Sequence, residues 1–362
     1  MKKIDEEMIL EENGQQQYSS ETVRRRNTDE SPRKTGSTSG KRRKKKKKKK
    51  RRINIHLILG GAMLLILIAV LSRFFIWNMG THSGYDPNEV TDEFDTEALD
   101  YIQPLDPELL EGREDDGVTT ILALGNDPFS DERGDEGIAE LVADRLDAVV
   151  YNGAFPGSTI ATKYEEYSNA YPLDGLSLYW VTAALANQNF ELMNRVCADL
   201  GSESAAAAAE TLNHVDMDKV DVITIMYDLQ DYMGGRIVYD DTNENNINSC
   251  CGALNASIQL IQETWPHIRI IVLSHPYGTF TAGDGTVVDG DRDDLGNGTL
   301  TDYMGWEIQI CVSNGVTFID NYYGTITVDD TDLLVDGFHL TQEGRQKVAD
   351  RIVDVLDGSA EK

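Results

Sequence analysis

Apolar runs of strand length alternate with helix-like patterns along the C-terminal part of the chain. The strand-length runs lie at residues 118–125, 147–154, 220–228, 267–275 and 316–320. Helical patterns lie at 137–146, in stretches of 175–213, and at 246–264, 299–313 and 341–356. Because the two kinds of segment alternate, the pattern predicts an α/β domain with a five-stranded parallel sheet and helices on both faces.

A different pattern precedes this alternation. Residues 41–52 contain no apolar side chain, and residues 53–77 are almost wholly apolar. Roughly 20 apolar residues are enough to cross a bilayer, so 53–77 is predicted to be one transmembrane helix. A cleaved secretory signal fits less well, because a long polar segment comes first and no small-residue cleavage site follows. Lys and Arg stay on the cytoplasmic side, which places the N-terminus inside and the C-terminal domain outside the cell membrane.

The charge is divided in the same way. Residues 1–80 hold 20 basic and 8 acidic residues, a net charge of +12, whereas residues 81–362 hold 13 basic and 54 acidic residues, a net charge of -41. The basic run adjoins the predicted span and contains no aromatic residue, so anionic membrane lipid is its expected partner and nucleic acid is not. We expect residues 1–52 to be a disordered cytoplasmic tail, 78–116 an acidic extracytoplasmic stalk and 117–358 the folded domain.

Cysteines and acidic clusters do not indicate a metal or a cofactor. The four cysteines, Cys197, Cys250, Cys251 and Cys311, match no zinc-binding spacing and are interpreted as packed thiols. The Asp-rich stretch 279–298 is predicted to be a hairpin or loop, and it departs from a calcium-binding loop at two required positions. The sequence therefore predicts no metal site and no cofactor.

Polar residues follow the predicted strands at the edge where ligands bind in open parallel sheets. These residues are Asn126 and Asp127 after the first strand, Gly157 after the second, Gln230 and Asp231 after the third, and Asp336 and His339 before the last helix. Because carboxyl ends of parallel strands share one edge, we expect the first and last of these segments to face one crevice.

The order of these segments resembles the GDSL, or SGNH, hydrolase family over residues 118–356. The matching segments are "GND" after the first strand, "YNGAFPGSTIA" after the second, "DLQD" after the third and "DGFHLTQEG" before the last helix. The resemblance implies a three-layer α/β/α, flavodoxin-like domain. It also implies hydrolysis or transfer of acyl esters, for which cell-surface glycans are the expected substrate.

The resemblance assigns roles to these residues. His339 is the expected base and Asp336 the group that orients it, while the amides of Asp127 and Gly157 and the Gln230 side chain are expected oxyanion donors. We expect Asn126 and Asp231 to contribute to the same substrate site. Two residues depart from the family pattern, because Asp127 stands where the family has its serine nucleophile and Gln230 where it has asparagine.

These departures leave the enzymatic activity open. A hydroxyl from Ser130 or Ser158 could replace the nucleophile, although capping roles fit both serines better. Asp127 could itself attack the substrate or activate water. The remaining alternative is a catalytically degenerate domain that binds a surface polymer or a protein partner in the same crevice.

Overall fold

The computed structural model of the chain describes residues 98–113 and 116–359. The predicted tail, the predicted span at 53–77 and most of the predicted stalk lie outside these residues, so their structure stays a prediction. Within the described ranges, no helix combines the length and the apolar character that crossing a bilayer requires.

The central sheet has five parallel strands. They are β1 Thr120–Gly125, β2 Val149–Asn152, β3 Val222–Met226, β4 Arg269–Leu273 and β7 Thr317–Ile319. Their spatial order is β2-β1-β3-β4-β7 and every neighbouring pair is parallel. The predicted five-stranded parallel sheet is therefore confirmed, and its order is the flavodoxin-like one, with the reversal of strand order between β1 and β3.

The Asp-rich segment between the fourth and fifth sheet strands forms a hairpin, as predicted. Strands β5 Thr279–Thr281 and β6 Val287–Asp289 pair antiparallel and make a separate two-stranded sheet.

Ten α-helices lie within the described residues. In chain order they are α1 Asp127–Ser130, α2 Ile138–Leu146, α3 Leu178–Asn187, α4 Glu191–Leu200, α5 Glu203–His214, α6 Gln230–Met233, α7 Cys250–Thr264, α8 Leu300–Asn314, α9 Asn321–Gly324 and α10 Gln342–Leu356. Periodicity predicted all the long ones. The helices α1, α6 and α9 escaped prediction because a single turn is too short to show a 3.6-residue period.

Helices cover both faces of the sheet. Every residue of β1 and of β3 is buried, which requires a covering layer on each side because successive side chains point to opposite faces. One layer contains α2 packed on α10, and another contains α3 packed on α7, which also contacts α8. Local chemistry fixes where these helices begin: the Thr341 side chain accepts a hydrogen bond from the Gly344 amide at the start of α10.

The folded domain begins before the predicted boundary at residue 117. Tyr101 and Phe318 exchange two backbone hydrogen bonds of 3.0 and 2.8 Å, so the chain near Tyr101 extends the edge of the sheet beside β7. Arg113 forms an ion pair with Asp221. Residues 98–113 are thus part of the packed domain, although their acidic and proline-rich composition predicted a stalk.

Candidate active site

The sharp turn after β1 brings its polar residues beside the end of β3. Gly125 lies opposite Met226 in the parallel register, and a Cβ atom at Gly125 would stand 1.9 Å from the Met226 carbonyl oxygen. Only glycine permits so close an approach. The next amide, of Asn126, donates to the same carbonyl at 3.3 Å. The loops that follow β1 and β3 are therefore joined at the point where the strand order reverses.

Asn126 binds these loops together and does not face the crevice. Its side chain is fully buried, and its Nδ2 donates to the Ser158 carbonyl at 2.9 Å and to Asp228 Oδ1 at 2.7 Å. Its Oδ1 accepts from the Asp228 amide at 2.9 Å. Asn126 was expected to contact a substrate. It instead holds the loops after β1, β2 and β3 in position, since every polar atom of its side chain has an internal partner.

The Asp127 carboxylate accepts hydrogen bonds from two of the three predicted oxyanion donors. Asp127 Oδ1 accepts from the Gly157 amide at 2.8 Å, and Asp127 Oδ2 accepts from Gln230 Nε2 at 3.3 Å. Gly157 has φ of +66°, a left-handed conformation that turns its amide toward Asp127. The sequence analysis brought the correct three residues together. In the structure the donors hold the protein's own carboxylate.

A second carboxyl group, from Asp228, faces Asp127 from the interior and was not predicted. Burial and then the neighbouring charge of Asp127 raise the pKa of Asp228 well above its usual value. Asp228 Oδ1 accepts from Asn126 and from the Gln230 amide, whereas Oδ2 is buried without a partner in the described structure.

Asp231 holds a loop in place and does not line the crevice. Its two carboxylate oxygens accept from the amides of Ile160 and Ala161 at 2.7 and 2.9 Å, and the side chain is buried. Burial is the main cause that raises the pKa of Asp231 to about 6. The predicted substrate role of Asp231 is replaced by a structural one, in which it fixes the segment that begins at Gly157.

Asp336 and His339 form the hydrogen-bonded pair that the resemblance implied. His339 Nδ1 lies 2.8 and 3.0 Å from the two Asp336 carboxylate oxygens, and the His339 amide donates to Asp336 Oδ1 at 3.2 Å. Burial acts to raise the pKa of Asp336, but the hydrogen bonds from His339 bring it below its usual value. Asp336 stays charged and accepts a hydrogen bond from Nδ1 of His339. The other ring nitrogen, Nε2, is therefore left for a substrate, a water or a metal ion.

The turn after β1 and the C-terminal histidine meet in one cleft. Ligand atoms of Asp127, Asp131 and His339 all lie within 4.8 Å of one another. Asp131 was not predicted. It lies one helical turn after Asp127, and burial followed by the Asp127 charge raises its pKa to about 6. The Asp-x-x-x-Asp spacing at 127 and 131 was the available signal, since residues four apart share a helix face.

Of the two serines considered as alternative nucleophiles, Ser158 makes a capping hydrogen bond and, within the described residues, Ser130 does not. Ser158 Oγ donates to the Phe155 carbonyl at 2.9 Å, which is a turn-capping bond. Ser130 is buried, and its hydroxyl has no partner in the described structure. All four cysteines are buried and free, as the interpretation of packed thiols predicts.

Comparisons with known proteins find a similar backbone fold in solved structures. No protein-family model matches the chain, and a search of curated proteins gives no match. Solved structures similar to this chain include GDSL-like lipases and esterases. A protein from Lactobacillus plantarum is 16% identical, with a TM-score of 0.45 over 67% of this chain and 97% of its own. A carbohydrate acetylesterase from Sinorhizobium meliloti is 13% identical, with a TM-score of 0.42 over 67% of this chain and 99% of its own. An aryl esterase from M. smegmatis is 15% identical, with a TM-score of 0.41 over the same shares.

Proposed function

We propose that this protein is a membrane-anchored, extracytoplasmic hydrolase of acyl esters on cell-surface glycans, in which water replaces serine as the nucleophile. The observation that carries the proposal is the His339–Asp336 pair beside Asp127, with Nδ1 of His339 bonded and Nε2 left for proton transfer. The anchor and the location rest on residues 41–52 and 53–77 of the sequence. The glycan substrate is proposed on the sequence resemblance described above.

The chemistry needs a base and a water molecule, and the cleft offers the base. His339 Nε2 takes a proton from water while the water oxygen attacks the ester carbonyl carbon. The tetrahedral intermediate then expels the alcohol as its carbon–oxygen bond breaks, and the leaving oxygen takes the proton back from Nε2. Asp336 remains a carboxylate throughout and stabilises the imidazolium form of His339. The products are a carboxylic acid and an alcohol, which balances the reaction with one water.

A second candidate function is ligand binding without turnover. It is favoured by the hydrogen bonds of Asp127, because the Gly157 amide and Gln230 Nε2 both donate to this carboxylate. A donor that holds Asp127 does not stabilise the oxyanion of a substrate, and loss of one such donor costs about 100-fold or more in rate. In this function the cleft binds a surface polymer or a protein partner and releases it unchanged.

Hydrolysis of p-nitrophenyl acetate by the purified full-length chain in detergent separates the two functions. We expect measurable turnover that falls about 100-fold in His339→Ala, because this substitution removes the base. Ser130→Ala is the matched control and should keep the rate of the unchanged protein. Equal rates in the unchanged protein and in His339→Ala would contradict the hydrolase. A loss in Ser130→Ala as large as that in His339→Ala would identify serine as the nucleophile and overturn the role of water.

Asp127→Ser tests the alignment of the remaining residues. The substitution supplies a hydroxyl and releases the Gly157 and Gln230 donors, so we expect esterase turnover to rise. If the unchanged protein is silent and Asp127→Ser is active, the machinery is aligned and the domain acts as a binder. A folded and silent Asp127→Ser variant would show that Gln230 does not replace the shorter asparagine of the family.

A further inference from the structure

We infer that Asp127, Asp131 and His339 form a binding site for one divalent transition-metal ion, of which Zn²⁺ and Mn²⁺ are the best candidates. The three ligand atoms come from the start of α1, from the residue after its end and from the loop before α10. Their mutual distances of at most 4.8 Å are close to the roughly 3–4 Å that separates ligands bound at about 2.1 Å from one ion. Small side-chain rotations are enough to close the difference.

An observation outside the cluster supports the same ligand set. His339 Nδ1 is bonded to Asp336 at 2.8 Å, and Asp336 is not one of the three ligands. A metal-binding histidine usually bonds a carboxylate through its other ring nitrogen, which fixes the tautomer and makes the ligating nitrogen more basic. The pair that the resemblance assigns to a base is therefore also the arrangement of a metal-binding histidine and its outer carboxylate.

The charges in the cleft favour a cation. Asp127 and Asp131 place two carboxylates side by side, and one bound divalent ion offsets their repulsion. The donor set of two oxygens and one imidazole nitrogen favours Zn²⁺ or Mn²⁺ over Ca²⁺ and Mg²⁺, which prefer oxygen ligands alone. The side chains of Asp131 and His339 are accessible at the surface, so an ion can enter from solvent.

A bound ion would replace the oxyanion donors that are bonded to Asp127. The two protein donors hold this carboxylate, so another positive group must meet the oxyanion of an ester substrate. A divalent ion would supply a Lewis acid for that oxygen and would lower the pKa of a bound water. Because Nε2 of His339 would then be a ligand of the ion, this lowered pKa would replace the action of His339 as the base. This role rests on the proposed hydrolase function. The binding of the ion itself depends only on the geometry of the three ligands.

Calorimetric titration of the full-length chain, purified without a histidine tag and stripped with EDTA, tests the site. We expect Zn²⁺ or Mn²⁺ to bind with one equivalent, and the affinity to fall at least tenfold in Asp131→Asn and in His339→Ala. Asp135→Asn is the matched control, because Asp135 is an exposed carboxylate of the same loop outside the cluster. It should bind as the unchanged protein does. Unfolding temperatures measured without metal check that the variants are folded.

Two results would overturn the inference. One is the absence of binding at about 1 mM metal, and the other is equal affinity in Asp131→Asn, His339→Ala and Asp135→Asn. The outcome is separable from the proposed function, because stoichiometric binding without p-nitrophenyl acetate turnover keeps the metal site and rejects the hydrolase. Turnover that is unchanged by EDTA, in a protein that binds no metal, keeps the hydrolase and rejects the metal site.

Discussion

The two sides of the cleft are built differently. On the interior side, Asn126, Asp228 and Asp231 are buried, and their hydrogen bonds run to the loops of neighbouring strands. On the outer side, the side chains of His339 and Asp336 are 30% and 52% exposed and bond mainly to each other. The interior side therefore determines the fold of the cleft, whereas the outer side carries replaceable chemistry. Substitutions on the interior side should cost stability, and those on the outer side should cost activity alone.

The largest expected effect on the interior side is that of Gly125→Ala. The new Cβ would meet the Met226 carbonyl oxygen at 1.9 Å, which cannot be relieved without separating β1 from β3. We expect a loss of unfolding free energy of about 4 kcal/mol or failure to fold. Gly157→Ala is the matched control, since no atom lies within 4 Å there and only its φ of +66° is unfavourable. That cost is about 1 kcal/mol. Urea unfolding followed by tryptophan fluorescence compares them, and equal losses would contradict the register argument.

Asn126→Ala should have the next largest effect, in contrast to His339→Ala. Removing the Asn126 side chain leaves the Asp228 amide and the Ser158 carbonyl buried without partners, so we expect a loss of about 3 kcal/mol. His339→Ala removes a ring that is 30% exposed and should change the unfolding free energy by less than about 0.5 kcal/mol. Both are measured by urea unfolding at neutral pH. A similar loss in the two variants would end the distinction between the interior and outer sides.

Glu307 tests the effect of burying an acid away from the cleft. Burial raises the pKa of Glu307 from 4.5 to about 8, so the folded protein holds a proton there that the unfolded chain releases above pH 4.5. The contribution of Glu307 to the free energy of unfolding is complete below pH 4.5. It is lost as the pH rises toward 8, by at most about 1.4 kcal/mol per pH unit. We expect Glu307→Gln to gain about 3 kcal/mol over the unchanged protein between pH 5 and pH 8. Parallel stability curves for the two proteins would show that Glu307 is not protonated in the fold.

The hydrophobic pattern was sufficient for most of the fold. Strand-length apolar runs predicted all five sheet strands, because a strand buried on both faces must be apolar at successive positions. The helical stretches predicted within residues 175–213 include α5, and Ser202 caps its start by accepting a hydrogen bond from the Ala205 amide. The pattern was less informative where composition and packing disagree, as near Tyr101, where an acidic and proline-rich segment nevertheless pairs with β7.

Single residues of the site were harder to predict than the place where they meet. Parallel strands end at one edge, so Asp127 and His339 could be expected in one crevice from the order of the segments. Side-chain partners could not be expected, because a one-turn helix leaves no periodic signal and hydrogen bonds depend on the orientation of each loop. Asp131 and Asp228 were missed for this reason, and Asn126 and Asp231 were expected in a substrate site although their polar atoms point into the protein.

The order of apolar and polar residues was enough to predict the layered α/β domain, the edge of the sheet where polar side chains collect, and a carboxylate directly after the first strand. Those features follow from local composition and from the geometry that all parallel sheets share. The packing of the loops adds that the Asp127 carboxylate binds two of the three predicted oxyanion donors and that Asp131 lies with it beside His339. These contacts join residues that are distant in the chain, and their distances depend on how the loops pack, which no local pattern encodes.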